Sequence, residues 1–396
     1  MTQSIDKTRL RQPASRLSWN SPETRSLAYQ ALAVLAVAAT AWFLVSNTLH
    51  NLAARNIATG FGFLPREAGF AIGESLISYS TSDTYSRAIV VGLLNTLRVA
   101  VLGIVLATIL GTLIGVGRLS KNWLVARVTS VYVEVMRNVP LLLQLFFWYA
   151  VITENMPGPR QAHNPLPGVF VSNRGLKVPE LIGTSVDWML AGLGLAIVLI
   201  MILGHWAKKR QHATGQVFPL GRAAIALILA LPATGWLVSG SALTLSMPEL
   251  KGFDFQGGLT LTPEFAALLA GLVIYTSAFI AEVVRSGIQA VDNGQWEAAG
   301  ALGLRRSLVL RLVILPQALR VIIPPLTSQF LNITKNSSLA VAIGYPDIVS
   351  VVNTTLNQTG QAIEGILIIM AAYLTVSLSI SIFMNWYNKH IALVER

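Results

Sequence analysis

Apolar and polar positions alternate along this chain in long blocks. Stretches poor in charge, each near the roughly 20 residues a helix needs to cross a bilayer, fall at 28–48, 89–117, 139–156, 188–206, 220–240, 264–285, 314–334 and 361–386. The pattern predicts eight membrane spans. The first, "AYQALAVLAVAATAWFLVS", follows a polar leader carrying Lys7, Arg9, Arg11, Arg16 and Arg25. Ala36, Ala38 and Ala39 mimic a signal cleavage site, but the leader is too long for a typical secretion signal, so the run reads as an uncleaved anchor.

Lys and Arg mark the side facing the cytoplasm. With a cytoplasmic N-terminus, eight spans place "RLSK" (118–121), "KKRQ" (208–211), the stretch 285–312 and the C-terminus together on that side. Loops 50–86, 157–187 and 241–262, rich in Gly, Pro, Asn and Ser, fall on the other.

Several spans are irregular. In the second, Val99 to Val116 carries no charge, so Arg98 is expected to snorkel at the outer boundary without a buried partner. Gly111 and Gly115 give the spacing that lets helices approach closely. In "YVEVMRNVPLLLQLFFWY", Glu134 and Arg137 share one face and Pro140 can open a new helix, which predicts an interfacial helix turning into a span. The seventh span holds Pro324, Pro325, Gln329, Asn332, Lys335, Asn336, Ser337 and Ser338. Lipid does not satisfy such polarity, so this segment must face protein or a water-filled path.

Composition narrows the class further. Hydrophobic residues make up 53% of the 396 and charged residues 12%, too apolar for an ordinary soluble protein. The net charge of +11 comes from basic loops beside apolar runs, with no aromatic interleaving of the kind nucleic-acid surfaces show. There is no cysteine, hence no disulfide framework or thiolate chemistry. His50, His163, His205, His212 and His390 form no metal-ligand spacing.

Between two spans lies "QWEAAGALGLRRSLVLRLVILP" (295–316). Asp292 and Gln295 form a variant capping box, predicting a helix from about 293 that Gly303 ends. A second short basic helix with Arg305, Arg306 and Arg311 is expected to lead to Leu315 and Pro316. Glu297-Ala298-Ala299, then Gly303, then Val313-Ile314-Leu315-Pro316 resembles the EAA signature of permease subunits of ABC importers, with Val313 where isoleucine is usual. "GLLNTLRVAVLGIVLATILGTLIGVGRLS", "EVMRNVPLLLQLFFWY", "YTSAFIAEVVRSGIQAVDNGQWEAAGALGL" and "LNITKNSSLAVAIG" are similar to the polar amino-acid branch. Together these blocks cover most of 89–152 and 264–386. About a hundred extra residues with two further spans, plus a long first outer loop, resemble the larger membrane subunit of general L-amino-acid importers of the Aap/Bzt type.

The resemblance implies an all-α integral membrane protein with a type I ABC importer permease core and two inserted helices. Its parts would be a cytoplasmic segment 1–27, the first span and outer loop 28–88, core halves 89–156 and 263–390, the insertion 157–262 between them, and a coupling loop at 286–312. Glu297, Ala298, Ala299 and Gly303 would couple to a cytoplasmic ATPase dimer that carries ATP and Mg. The other implied partners are a second homologous permease, a periplasmic amino-acid-binding protein and membrane lipid. No cofactor is expected on this chain, which lacks a glycine-rich phosphate loop ending in Lys-Ser or Lys-Thr and is therefore not expected to be an enzyme. Asn332, Lys335, Asn336, Ser337 and Ser338 are candidates for a substrate path, or for satisfying backbone broken near Pro324 and Pro325. A secondary transporter and a scaffold subunit remain as alternatives.

Overall fold

A computed structural model of the protein describes residues 22–54, 59–240 and 244–391. Lys7, Arg9, Arg11 and Arg16 lie outside these residues. Helices dominate: α1 (Pro22–Ala54), α2 (Tyr85–Arg118), α3 (Trp123–Asn138), α4 (Leu141–Asn155), α5 (Thr184–Thr214), α6 (Leu220–Ser239), α7 (Pro263–Gln289), α8 (Asn293–Ala301), α9 (Arg306–Val309), α10 (Leu315–Asn336), α11 (Ile348–Thr359) and α12 (Ala362–Ile391). Seven of the described helical segments are long and apolar enough to cross a membrane, and α3 with α4 makes an eighth as a bent pair.

That bent pair is the third span. Val139 adopts an extended conformation, as a residue before proline prefers, and the helix restarts after Pro140 at 106° to its predecessor. α4 alone reaches about 22 Å, short of a hydrocarbon core of about 30 Å. Glu134 and Arg137 do not pair; the Arg137 guanidinium lies 5.1 Å from the Phe279 ring centroid.

α7 is the centre of the molecule. It starts cleanly because Thr262 caps it, accepting from Phe265 N at 3.1 Å, with Pro263 in the first turn. α2, α3, α4 and α10 pack around it. The α2 contact depends on glycine: a Cβ at Gly111 would lie 2.7 Å from the Ile280 side chain, and one at Gly115 would lie 2.7 Å from the Ala281 carbonyl oxygen.

The insertion has its own order. Strands β1 (His163–Leu166), β2 (Val169–Ser172), β3 (Gly175–Val178) and β8 (Leu259–Leu261) form an antiparallel sheet. β4 (Glu180–Ile182) pairs with β5 (Thr244–Ser246), and β6 (Glu249–Lys251) with β7 (Asp254–Gln256). Strands of three or four residues carry too few alternations to stand out from loop composition, which is why the sequence reads them as loops. α5 and α6 pack on each other far more than on the core.

Two further expectations need correction. Arg98 does not snorkel: its guanidinium pairs with the Glu74 carboxylate, both largely buried, and lies 4.2 Å from the Phe265 ring centroid. Arg305, Arg306 and Arg311 do not belong to a separate short helix. Arg305 caps α9, which continues through a π-helical turn, Leu310–Ile314, directly into α10. Pro316 explains the widened turn, because it has no N–H for the Leu312 carbonyl and its ring crowds that oxygen.

Candidate coupling loop and translocation path

Asp292 opens the loop helix α8 by accepting from Gly294 N at 2.6 Å. Gln295 does not reach back to complete a capping box; its Oε1 accepts from Gln317 Nε2 at 3.2 Å, tying α8 to α10. Gly303, at φ +71°, ends the helix in the left-handed region. Its N–H donates to Gly300 O at 2.9 Å and Leu304 N–H donates to Ala299 O at 3.3 Å, the paired bonds of a Schellman motif.

The loop helix has two unlike faces. Ala299 is buried and Trp296 half-buried, in one apolar cluster with Val291, Val309, Ile314 and Ala318. Glu297, Ala298 and Gly303 are exposed, and Leu302 keeps 79% of its surface free. The apolar cluster beneath Ala299 runs on through Ile322 to Ile333. Packed side chains thus connect α8 to α10 without a gap.

An ion cluster fixes the neighbouring helix ends. The Glu282 carboxylate accepts from Arg285 one turn along α7 and from Arg118 at the end of α2. Arg285 Nη1 also donates to Gln289 Oε1 at 2.5 Å. The spacing of Glu282 and Arg285 predicts their contact, whereas Arg118 is 164 positions away and leaves no local signal.

α10 passes through Pro324 and Pro325 without breaking, then tightens into a 3-10 segment, Ser337–Ile343. The exposed positions Val321, Pro324, Pro325, Ser328, Asn332 and Lys335 recur at helical spacing and form one stripe. The candidate path residues divide. Asn332 and Lys335 lie on this open stripe, Asn336 and Ser338 are half-buried, and Ser337 is buried. Ser337 Oγ donates to Thr334 O and Ser338 Oγ to Lys335 O, each at 2.7 Å, where the helix tightens. Arg320, which the sequence does not single out, has Nε and Nη2 closed off from solvent with no acceptor among the described residues.

At the opposite end of α7, Glu74 joins three elements. Its carboxylate meets Arg98 and accepts from Thr262 Oγ1 at 2.8 Å, while its backbone carbonyl accepts from Asn95 Nδ2 at 2.8 Å. Burial raises its carboxyl above the usual range, with Thr262 and Arg98 pulling the other way. The same Asn95 amide donates to Pro346 O at 2.9 Å, so one α2 side chain holds both the loop between α1 and α2 and the turn after the 3-10 segment. Glu364 accepts from the backbone N–H of Gly60.

Comparison with known proteins fits these parts. Residues 103–393 match the family described as "Binding-protein-dependent transport system inner membrane component". The chain is 51% identical over 382 residues to the general L-amino acid transport system permease protein AapQ of Rhizobium johnstonii, covering 96% of each. It is 45% identical over 405 residues to the glutamate/glutamine/aspartate/asparagine transport system permease protein BztB of Rhodobacter capsulatus, covering 94% of this chain and 95% of that one. The glutamate/aspartate import permease protein GltJ of Escherichia coli (strain K12) is 25% identical over 312 residues, covering 79% of this chain and 90% of that protein. With the family model spanning most of its helical core, this chain belongs to the inner membrane components of binding-protein-dependent transport systems, the permeases of ABC importers.

Proposed function

We propose that this chain is the larger permease of an importer that moves L-amino acids across the bacterial inner membrane, with the Glu297 loop as the point where a cytoplasmic ATPase dimer docks. The carrying observation is the division of α8 into an inward apolar face, packed on α9 and the π-helical turn that leads into α10, and an outward face of Glu297, Ala298 and Leu302. A docked ATPase that closes on ATP would move α8 as a unit, and the spans attached to it would change their opening. ATP and Mg belong to that partner. The N- and C-termini are cytoplasmic in this reading, and a periplasmic binding protein delivers substrate to the opposite end.

A second, homologous permease completes the path. The open α10 stripe supports this, since Ser328, Asn332 and Lys335 need water or another protein against them. Lys335 offers a cation to a carboxylate and Asn332 an amide to either end of a zwitterion. Purification of the tagged chain from membranes with its bound proteins, followed by labelled amino-acid uptake into liposomes with binding protein added, tests the reading. Uptake that requires ATP and a copurified ATPase supports it. Uptake by the chain alone on an ion gradient would overturn it in favour of a secondary transporter.

A further inference from the structure

A cavity lies behind α8, on the side away from its exposed face. Its volume is about 1190 Å³, between the last turns of α2 and α7, the start of α3, and the α9 to α10 segment. The walls are apolar, set by Leu113 and Val116 of α2 and by Leu310 and Ile314 of the π-helical turn, with Trp296 of α8 at one edge. Three cations line it as well: Lys121, Arg306 and Arg311. All three are exposed, none makes an ion pair among the described residues, and no carboxylate lines the cavity.

We infer that this cavity holds an anionic phospholipid of the cytoplasmic leaflet, its phosphate among Lys121, Arg306 and Arg311 and its acyl chains along the exposed Leu113, Val116 and Leu310. The inference takes its sidedness from the function proposed above. Three features select a lipid over a soluble anion or a protein. The lining is divided between apolar wall and cation, as an amphiphile requires. The walls are the ends of membrane-crossing helices, where acyl chains already lie. The face of α8 suited to a docked protein is the opposite one, carrying Glu297 and Ala298. A lipid seated here touches Trp296 and the π-helical turn together, so it buttresses the joint through which α8 drives α10.

The test uses the complete importer, copurified with its partners and exchanged into nanodiscs of phosphatidylcholine with a minor fraction of phosphatidylglycerol. Lipid retained after delipidation is counted by native mass spectrometry, without ATP or amino acid, so the result is independent of whether transport is demonstrated. Wild type is expected to retain phosphatidylglycerol selectively. Lys121→Gln alone should weaken that retention about fivefold, and the triple variant with Arg306→Gln and Arg311→Gln more strongly, at about 1 kcal/mol for each cation near the headgroup. Equal retention by wild type and Lys121→Gln, or equal retention of the two lipids, would overturn the inference.

The chain has no cysteine, so Val125→Cys, on the cavity wall, gives a unique thiol on this subunit. Phosphatidylglycerol should slow its labelling by a maleimide whether the ATPase is bound or stripped. Protection in pure phosphatidylcholine that appears only with the ATPase bound would assign the cavity to protein and sink the lipid reading.

Discussion

Gly303 turns the chain after α8 with a backbone angle that β-branched residues avoid, yet a Cβ there would meet nothing of this chain within 4 Å. Within this chain a substitution effect is therefore conformational. Gly303→Val should cost about 1–2 kcal/mol locally and raise the ATP hydrolysed per amino acid transported, whereas Gly303→Asn, which tolerates the left-handed region, should stay near wild type. Equal coupling ratios in the two variants would dissociate the turn from transport. Lys335 poses the converse case, an exposed cation on a membrane-crossing helix. Lys335→Ala is expected to change uptake while leaving copurification of partners intact; unaltered uptake for every amino acid tested would remove it from the path. Arg98 and Glu74 retain only 14% and 8% of their side-chain exposure, so Arg98→Gln leaves a buried carboxylate without its cation. A loss of about 3–5 kcal/mol is expected, read as a lower unfolding temperature of the purified complex, with partial recovery in the Arg98→Gln, Glu74→Gln double variant.

Among elements, the spans were readable in the sequence because each presents some twenty apolar positions, a signal that no local detail can mask. Gly111 and Gly115 likewise announced a close helix crossing, and the structure shows α7 as the partner they admit. A leucine at Gly115 would have to displace the α7 backbone at Ala281, so Gly115→Leu should destabilise the complex by at least the 1–3 kcal/mol typical of overpacking, measurable by thermal unfolding in detergent. Three features escaped the sequence for physical reasons. The partner of Arg98 lies 24 positions away in a loop, beyond any helical spacing. The strands of the insertion are too short to establish a period of two. The basic stretch after Gly303 contains nothing to distinguish a separate helix from the first turns of a longer one, because the π-helical turn that joins them is a response to Pro316 and not a sequence pattern in itself. The path residues were legible as a polar segment, but their division into the open Asn332 and Lys335 and the buried Ser337 follows from packing against neighbours that are distant in sequence.

Across the whole molecule, the insertion is closed by its own ladder. Ile182 pairs with Thr244, so the ends of the α5 and α6 excursion already stand side by side. Removing residues 183–243 and joining the strands through an Asn-Gly turn should leave a β-hairpin and an intact core, two spans shorter and with unchanged orientation. Retained copurification of the ATPase by the shortened chain would separate the insertion from coupling; failure to insert would show that the core needs it. The core itself contains two long helices of different character. α7 runs for 27 residues, about 40 Å, with no proline beyond its first turn, from the Thr262 cap beside Glu74 to the Glu282 cluster at the coupling loop. α10 is preceded by a π-helical turn, carries a proline pair within its length and runs into a 3-10 segment at its end. Side by side they form a stiff rod and a jointed one, so a load applied at the loop would tilt α7 as a whole while α10 would yield at its joints and carry the movement on unevenly along its length.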